Sequence, residues 1–191
     1  MNQTNKKQLR QALGQYMTGV TIVTTTGDGE ETVGVTANSF SSVSLEPPMI
    51  LWSLSNAAHS RLAFENAEYF CIHVLTVSQQ ELAERFACAG ADKFGGLERK
   101  RGIGSVPLLQ EYVARFQCRT VDQHIVGDHI VFFGEVLTYD QTDKRPLVFH
   151  GGRYSFAERR GKAESDPGAD GNYRHAGERR VQASTTKKTD I

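Results

Sequence analysis

The pair Pro47-Pro48 limits what this chain can fold into more than any other feature of it. Two prolines in a row lock φ and remove two backbone donors, so neither a helix nor a central strand passes through them. The pair splits residues 34–55 (GVTANSFSSVSLEPPMILWSLS) into unlike halves. Before it, Thr36, Ala37, Asn38, Ser39, Ser41, Ser42 and Ser44 are small and mostly hydroxylic; after it, 49–54 is strongly apolar. The pattern reads as strand, polar corner, Pro-Pro turn, strand. Small side chains at a corner let a flat ligand approach the backbone, and the hydroxyls and amides there can bond to it. A serine-rich loop that only satisfies its own backbone has the same composition.

The rest of the chain reads as many short strands with helices between them. Leu9, Ala12, Leu13 and Tyr16 recur at helical spacing and predict an amphipathic helix over 5–17, with Gly19 at its exit. Residues 20–26 (VTIVTTT) are a β-branched strand, turned by Gly27-Asp28-Gly29 into a second strand over 32–36. Asn56 can cap a helix over 57–66, and 69–75 is a strand. A capping box at Ser78–Glu81 opens a helix with Leu82, Ala83, Phe86 and Ala87 on one face. Residues 89–107 read as a long Gly- and charge-rich loop, and loops of that length in compact domains are usually functional. Strands over 113–121, 130–139 and 147–154 complete the set. Hairpin links without regular βαβ alternation predict an antiparallel barrel with added helices, mainly β, and not a doubly wound sheet.

At 191 residues the chain suits one domain, placed at 1–156. Residues 157–191 hold almost no large apolar side chains, which predicts a disordered or loosely docked tail. Lys plus Arg and Asp plus Glu balance at 22 each, so charge gives no case for nucleic acid or an anionic membrane as partner. No apolar run spans a bilayer, and the N-terminus lacks the apolar stretch of a secretory signal. Cys71, Cys88 and Cys118 are too few and scattered for a disulfide framework, which fits a cytoplasmic protein.

Dinucleotide and P-loop motifs are absent. Cys71 and His73 share a strand face but lack further metal ligands at a zinc spacing, so no metal site is expected. A bound phosphate would fall to hydroxyls, backbone amides and scattered cations.

Four segments, TGVTIVTT (18–25), TANSFSSVSLEPP (36–48), GDHIVFFGEV (127–136) and PLVFHGGRY (146–154), together resemble the flavin reductase family. Their order and spacing make the resemblance specific over roughly residues 8–156. It implies a split β-barrel that binds FMN or FAD and takes hydride from NADH or NADPH. It also implies a homodimer that supplies reduced flavin to a partner monooxygenase.

Carried over residue by residue, the resemblance places Thr36, Ala37, Asn38 and Ser39, with Ser41 and Ser42, at the flavin's polar edge. It places Ser53, Ser55, Asn56 and Ser60 at the phosphate, Lys93 and Phe94 on a loop beside the flavin, and Arg153 and Tyr154 on the nicotinamide side. His129, oriented by Asp128, is the one side chain expected to affect the chemical step. The chain departs from the family at SNAAHS (55–60). Many relatives have Lys or Arg there, whereas this chain has Ala57 and Ala58, which leaves Arg61, His59 or Lys93 as the candidates to compensate and weaker phosphate binding or a different FMN/FAD preference as the alternative. Arg99, Lys100 and Arg101 are basic enough for an NADPH 2′-phosphate, but nothing in the sequence places them at a ribose. Two other readings stand beside this one: a non-catalytic flavin- or heme-binding barrel acting as carrier or sensor, and a barrel oxidase of pyridoxine phosphate or another small molecule.

Overall fold

The computed structural model describes residues 3–90 and 92–157. Contacts divide the chain into Met1–Glu158 and Arg159–Ile191, and the described residues all belong to the first unit. The tail expectation, Ala157 apart, lies outside them.

Helix α1 (Gln3–Leu13) is followed by β1 (Thr18–Gly19), β2 (Thr21–Thr26), β3 (Thr32–Ala37), β4 (Ser41–Leu45) and β5 (Pro48–Ser55). Then come α2 (Arg61–Asn66), β6 (Tyr69–Val74), α3 (Gln80–Ala87), β7 (Arg99–Arg101) and β8 (Pro107–Leu109). A long hairpin, β9 (Ala114–Val126) and β10 (His129–Gln141), precedes a short one, β11 (Leu147–His150) and β12 (Arg153–Phe156). Among the described strands every pairing is antiparallel. Seven strands form one sheet in the order β3-β2-β6-β9-β10-β5-β4; β1-β11-β12 and β7-β8 form two smaller ones.

The large sheet wraps around its own apolar face. One core cluster joins Val23 of β2 to Trp52 of β5, although β6, β9 and β10 lie between those strands. A flat sheet could not bring them together. Strict alternation drives the wrapping: Ile50, Trp52 and Leu54 face in from β5, and Ile130 and Phe132 from β10. Trp52 pairs across the strands with Phe132, stacks on it at 4.8 Å, and meets Phe64 of α2 edge-on at 4.9 Å. Such ring pairs contribute about 0.5–1.5 kcal/mol each beyond the area they bury. Gly134 lies on the same face, where a Cβ would come within 2.5 Å of Phe70. A second core, with Val20, Ile22, Leu75, Ala83, Phe86, Phe94, Leu109 and Leu147, lies on the opposite side of β2.

β2 is thus buried on both faces. Its threonines remain because each hydroxyl finds a carbonyl: Thr21 that of Ala37, Thr24 that of Pro107 and Thr25 that of Tyr69 at 2.6–2.7 Å, and Thr26 that of Ser105 at 3.0 Å.

Several expectations need correction. The first helix ends at Leu13, and Leu9, Leu13 and Tyr16 are exposed; periodicity marks an apolar face without saying what covers it. The polar corner is shorter than read, because Ser41–Leu45 pairs with β5 as a strand. The helix at 57–66 starts only at Arg61, with Ser60 and not Asn56 at its N-cap and Leu62 exposed. The capping box is Thr76 with Gln79, two residues earlier than read, and the turn it caps leads into α3. The long loop contains β7, which pairs with β8, and the final strand is a hairpin turned at Gly151-Gly152.

His73 is the one histidine in the core among the described residues. Its Nδ1 donates to the Ile22 carbonyl at 3.2 Å and its Nε2 accepts the Leu109 N–H at 3.1 Å, the tautomer that satisfies both. Burial holds its pKa down from 6.5 to about 3. Between those values the unfolded chain binds the proton and the folded chain refuses it, so stability rises with pH across that window. Urea unfolding followed by Trp52 fluorescence should show stability falling below pH 6.5 by about 1.4 kcal/mol per pH unit from this group. His73→Gln should flatten that slope.

Candidate active site

β3 ends the large sheet, so one of its edges carries backbone groups that none of the described strands pairs. Two cavities lie along it. The larger, about 970 Å³, is walled by β3, by the turn at Ala57, Ala58, His59 and Ser60, and by the loop at Lys93–Leu97 with Arg99. The smaller is a slot of about 180 Å³ lined by Val20, Thr36, Ala37, Asn38, Phe149 and Tyr154.

The slot brings together residues that the sequence separates by more than a hundred positions. Phe149 and Tyr154 meet edge-on at 5.3 Å and form its apolar wall. Burial pushes the Tyr154 phenol above its ordinary pKa, so it stays a neutral donor. The Thr36 hydroxyl is already used, donating to Ala83 O at 2.6 Å. The Asn38 side chain is exposed and makes no hydrogen bond among the described residues. Asn38 and the β3 backbone are therefore the groups available to the polar edge of a flat ring.

In the cleft, the loop residues do structural work. Phe94 is buried and packs edge-on against Phe86 at 5.0 Å. The Lys93 ammonium donates to Gly34 O at 3.0 Å and Phe86 O at 2.9 Å, and burial lowers its pKa. Lys93 thus ties the loop to the open edge of β3. Gly34 makes this packing feasible, since a Cβ there would lie 2.5 Å from the Phe86 ring. The sequence reading passed over Gly34, although an isolated glycine in a β-branched strand signals close approach. Gly34→Ala should destabilise the fold by roughly 1–3 kcal/mol in urea unfolding, because the added Cβ would overlap a fully buried ring.

A third group sits on the outer face where β5 meets β10. His129 lies opposite Ser55, and its Nδ1 is 2.7 Å from Asp128 Oδ1. With Nδ1 held by the carboxylate, the ring is oriented and Nε2 has no hydrogen-bond partner among the described residues. The bond to His129 holds the Asp128 pKa below the usual range. Asn56 holds this turn in place: its N–H donates to Asp128 O at 2.9 Å and its Nδ2 to Gly127 O at 3.3 Å, while Oδ1 is buried without a partner. Asn56→Ala should cost about 1 kcal/mol in urea unfolding. Asn56→Asp should cost more, since it sets an oxygen against Gly127 O.

The remaining residues fall outside both cavities. Ser39 stitches the β3–β4 link to β5, donating to Ser53 O and accepting the Ser53 N–H, both at 2.9 Å. Ser41, Ser42 and Arg153 are exposed, and the Ser55 hydroxyl accepts the Ala57 N–H at 3.3 Å. A helix dipole gives a phosphate at 53–60 little support, since α2 has six residues and starts after that segment. No cluster of three or more potential metal ligands occurs among the described residues, and none of their helices is long and apolar enough to cross a membrane.

A wrapped, unclosed antiparallel sheet with a nucleotide-sized cleft along its free edge and no Rossmann unit is a split barrel. The model of the flavin reductase like domain matches residues 13–158, and the chain belongs to the flavin reductase family. The chain is 42% identical over 150 residues to an NADH-type FMN reductase, SmoA, of Agrobacterium fabrum, an alignment covering 78% of this chain and 85% of that one. It is 37% identical to HsaB, the reductase subunit of a flavin-dependent monooxygenase of Rhodococcus jostii, covering 80% and 78% of the two chains. Among solved structures, the Streptomyces globisporus NADH:FAD oxidoreductase SgcE6 in complex with NAD and FAD fragments is similar at a TM-score of 0.75 and 33% identity, covering 87% of this chain and 98% of that one.

Proposed function

We propose that this protein is an NADH-dependent flavin reductase that supplies diffusible reduced flavin to a separate monooxygenase. Family membership combined with a cleft and slot along one strand edge carries the reading. The nicotinamide supplies a hydride and the flavin ring accepts it at N5 with a proton, giving NAD⁺ and reduced flavin. The chain binds and aligns. Asn38 and the β3 backbone meet the ring's polar edge, and Phe149 and Tyr154 give it an apolar wall.

His129 is the candidate catalytic residue, with Asp128 orienting its ring. It lines neither cavity of this single chain, so the reading joins it to the site through a second copy. Exposed Val43, Leu45, Ile125, Val126, Leu137 and Tyr139 on β4, β9 and β10 support a homodimer. FMN and FAD both suit the reading, and NADPH is the second donor to try. Three free thiols favour a cytoplasmic setting.

Mixing the protein anaerobically with FMN or FAD and excess NADH or NADPH should bleach the visible flavin band with turnover. His129→Ala should slow hydride transfer by roughly 10²-fold, within the range of a lost acid–base group. Asn38→Ala should weaken flavin binding. Flavin binding without bleaching by either nicotinamide would instead establish the carrier reading.

A further inference from the structure

The alanines at 57 and 58 leave open which side chain meets a nucleotide phosphate, and the cleft offers an answer that rests on the flavin reductase reading. Of the cations the sequence offered, Arg61 is tied to Glu65 through Nε at 3.0 Å and Nη2 at 2.8 Å. The Lys93 ammonium is held by two backbone carbonyls. His59 is exposed where the turn lines the cleft.

Arg99 lines the same cleft, contributed by β7. Its Nη1 donates to Phe94 O at 3.2 Å, and its guanidinium lies 5.4 Å from the centre of the Phe94 ring. These contacts seat the group on a buried anchor and leave further N–H donors unused. Two carboxylates share the cleft. Asp92 Oδ1 accepts the Gly95 N–H at 2.9 Å, while Glu31 is exposed just before β3. A guanidinium and a carboxylate in one cleft match the phosphate and the hydroxyls of a nucleotide's sugar arm, because the planar fork pairs with phosphate oxygens and the carboxylate accepts from hydroxyls. We propose that Arg99 is the phosphate-binding cation of this chain, taking the place of the basic residue absent at 57–58, and that its ligand is the phosphate of a flavin or nicotinamide nucleotide.

The test uses the full chain and compares FMN with riboflavin, which has the ring and ribityl arm but no phosphate, as acceptors for NADH. Arg99→Gln removes the charge and keeps a donor for Phe94 O; Arg99→Lys keeps the charge. If the flavin phosphate is the ligand, Arg99→Gln raises the KM for FMN roughly tenfold, as loss of a charge-assisted hydrogen bond would. The KM for riboflavin then stays at its wild-type value, and Arg99→Lys restores part of the difference. If the nicotinamide pyrophosphate is the ligand, the KM for NADH rises instead, measured with riboflavin as acceptor. Unchanged values for FMN and NADH, or equal losses for FMN and riboflavin, overturn the assignment. A wild-type protein that reduces neither flavin with NADH overturns the reductase reading itself, and the assignment with it.

Discussion

The structure depends on β2 being buried on both faces. Val23 points into the core enclosed by the large sheet, and Ile22 into the core packed against α3 and β11. An antiparallel strand more often shows one face to water. Here the second face is covered by Leu75, Phe86 and Leu147, and the strand's hydroxyls are satisfied by carbonyls from neighbouring segments. This strand carries β3 on one side and β6 on the other. The free edge of β3, along which both cavities lie, is therefore mounted on a strand buried on both faces.

That mounting has consequences for ligand binding. A site built on strand backbone is held more rigidly than one built on loops, and alignment is most of what hydride transfer asks of a protein. The loop that walls the cleft is itself anchored. Phe94 enters the second core, Lys93 ties the loop to the β3 edge, and Gly34 leaves space for the Phe86 ring between them. Residues expected to touch the flavin thus have structural duties, and the ligand-facing groups are those with donors left over: Asn38, the β3 backbone and Arg99. His129 stands apart with its own support from Asp128 and the Asn56 clamp.

Much of this was legible in the chain. The Pro-Pro turn, the β-branched strands and the hairpin glycines place most elements, and the order of four segments points to the family. The Asp128–His129 pair was readable because its members are neighbours. The cleft was not, because its walls come from residues near 33, 58, 94 and 99, and no local pattern records that they meet. The errors share that origin. Periodicity drew the helix through Tyr16, yet Leu9 and Leu13 are uncovered in this chain; the capping box was sought at Ser78 although Thr76 is the residue Gln79 reaches.

The sequence by itself determined the class of fold, the turns and the family, because alternation, proline and glycine act over a few residues. Only the tertiary structure decided which polar groups remain free for a ligand. A side chain's availability depends on the partners the fold has already given it. Thr36, Ser39, Arg61 and Lys93 are engaged by residues distant in sequence or a helical turn away, whereas Arg99, which lines the cleft and rests on Phe94, retains unused donors.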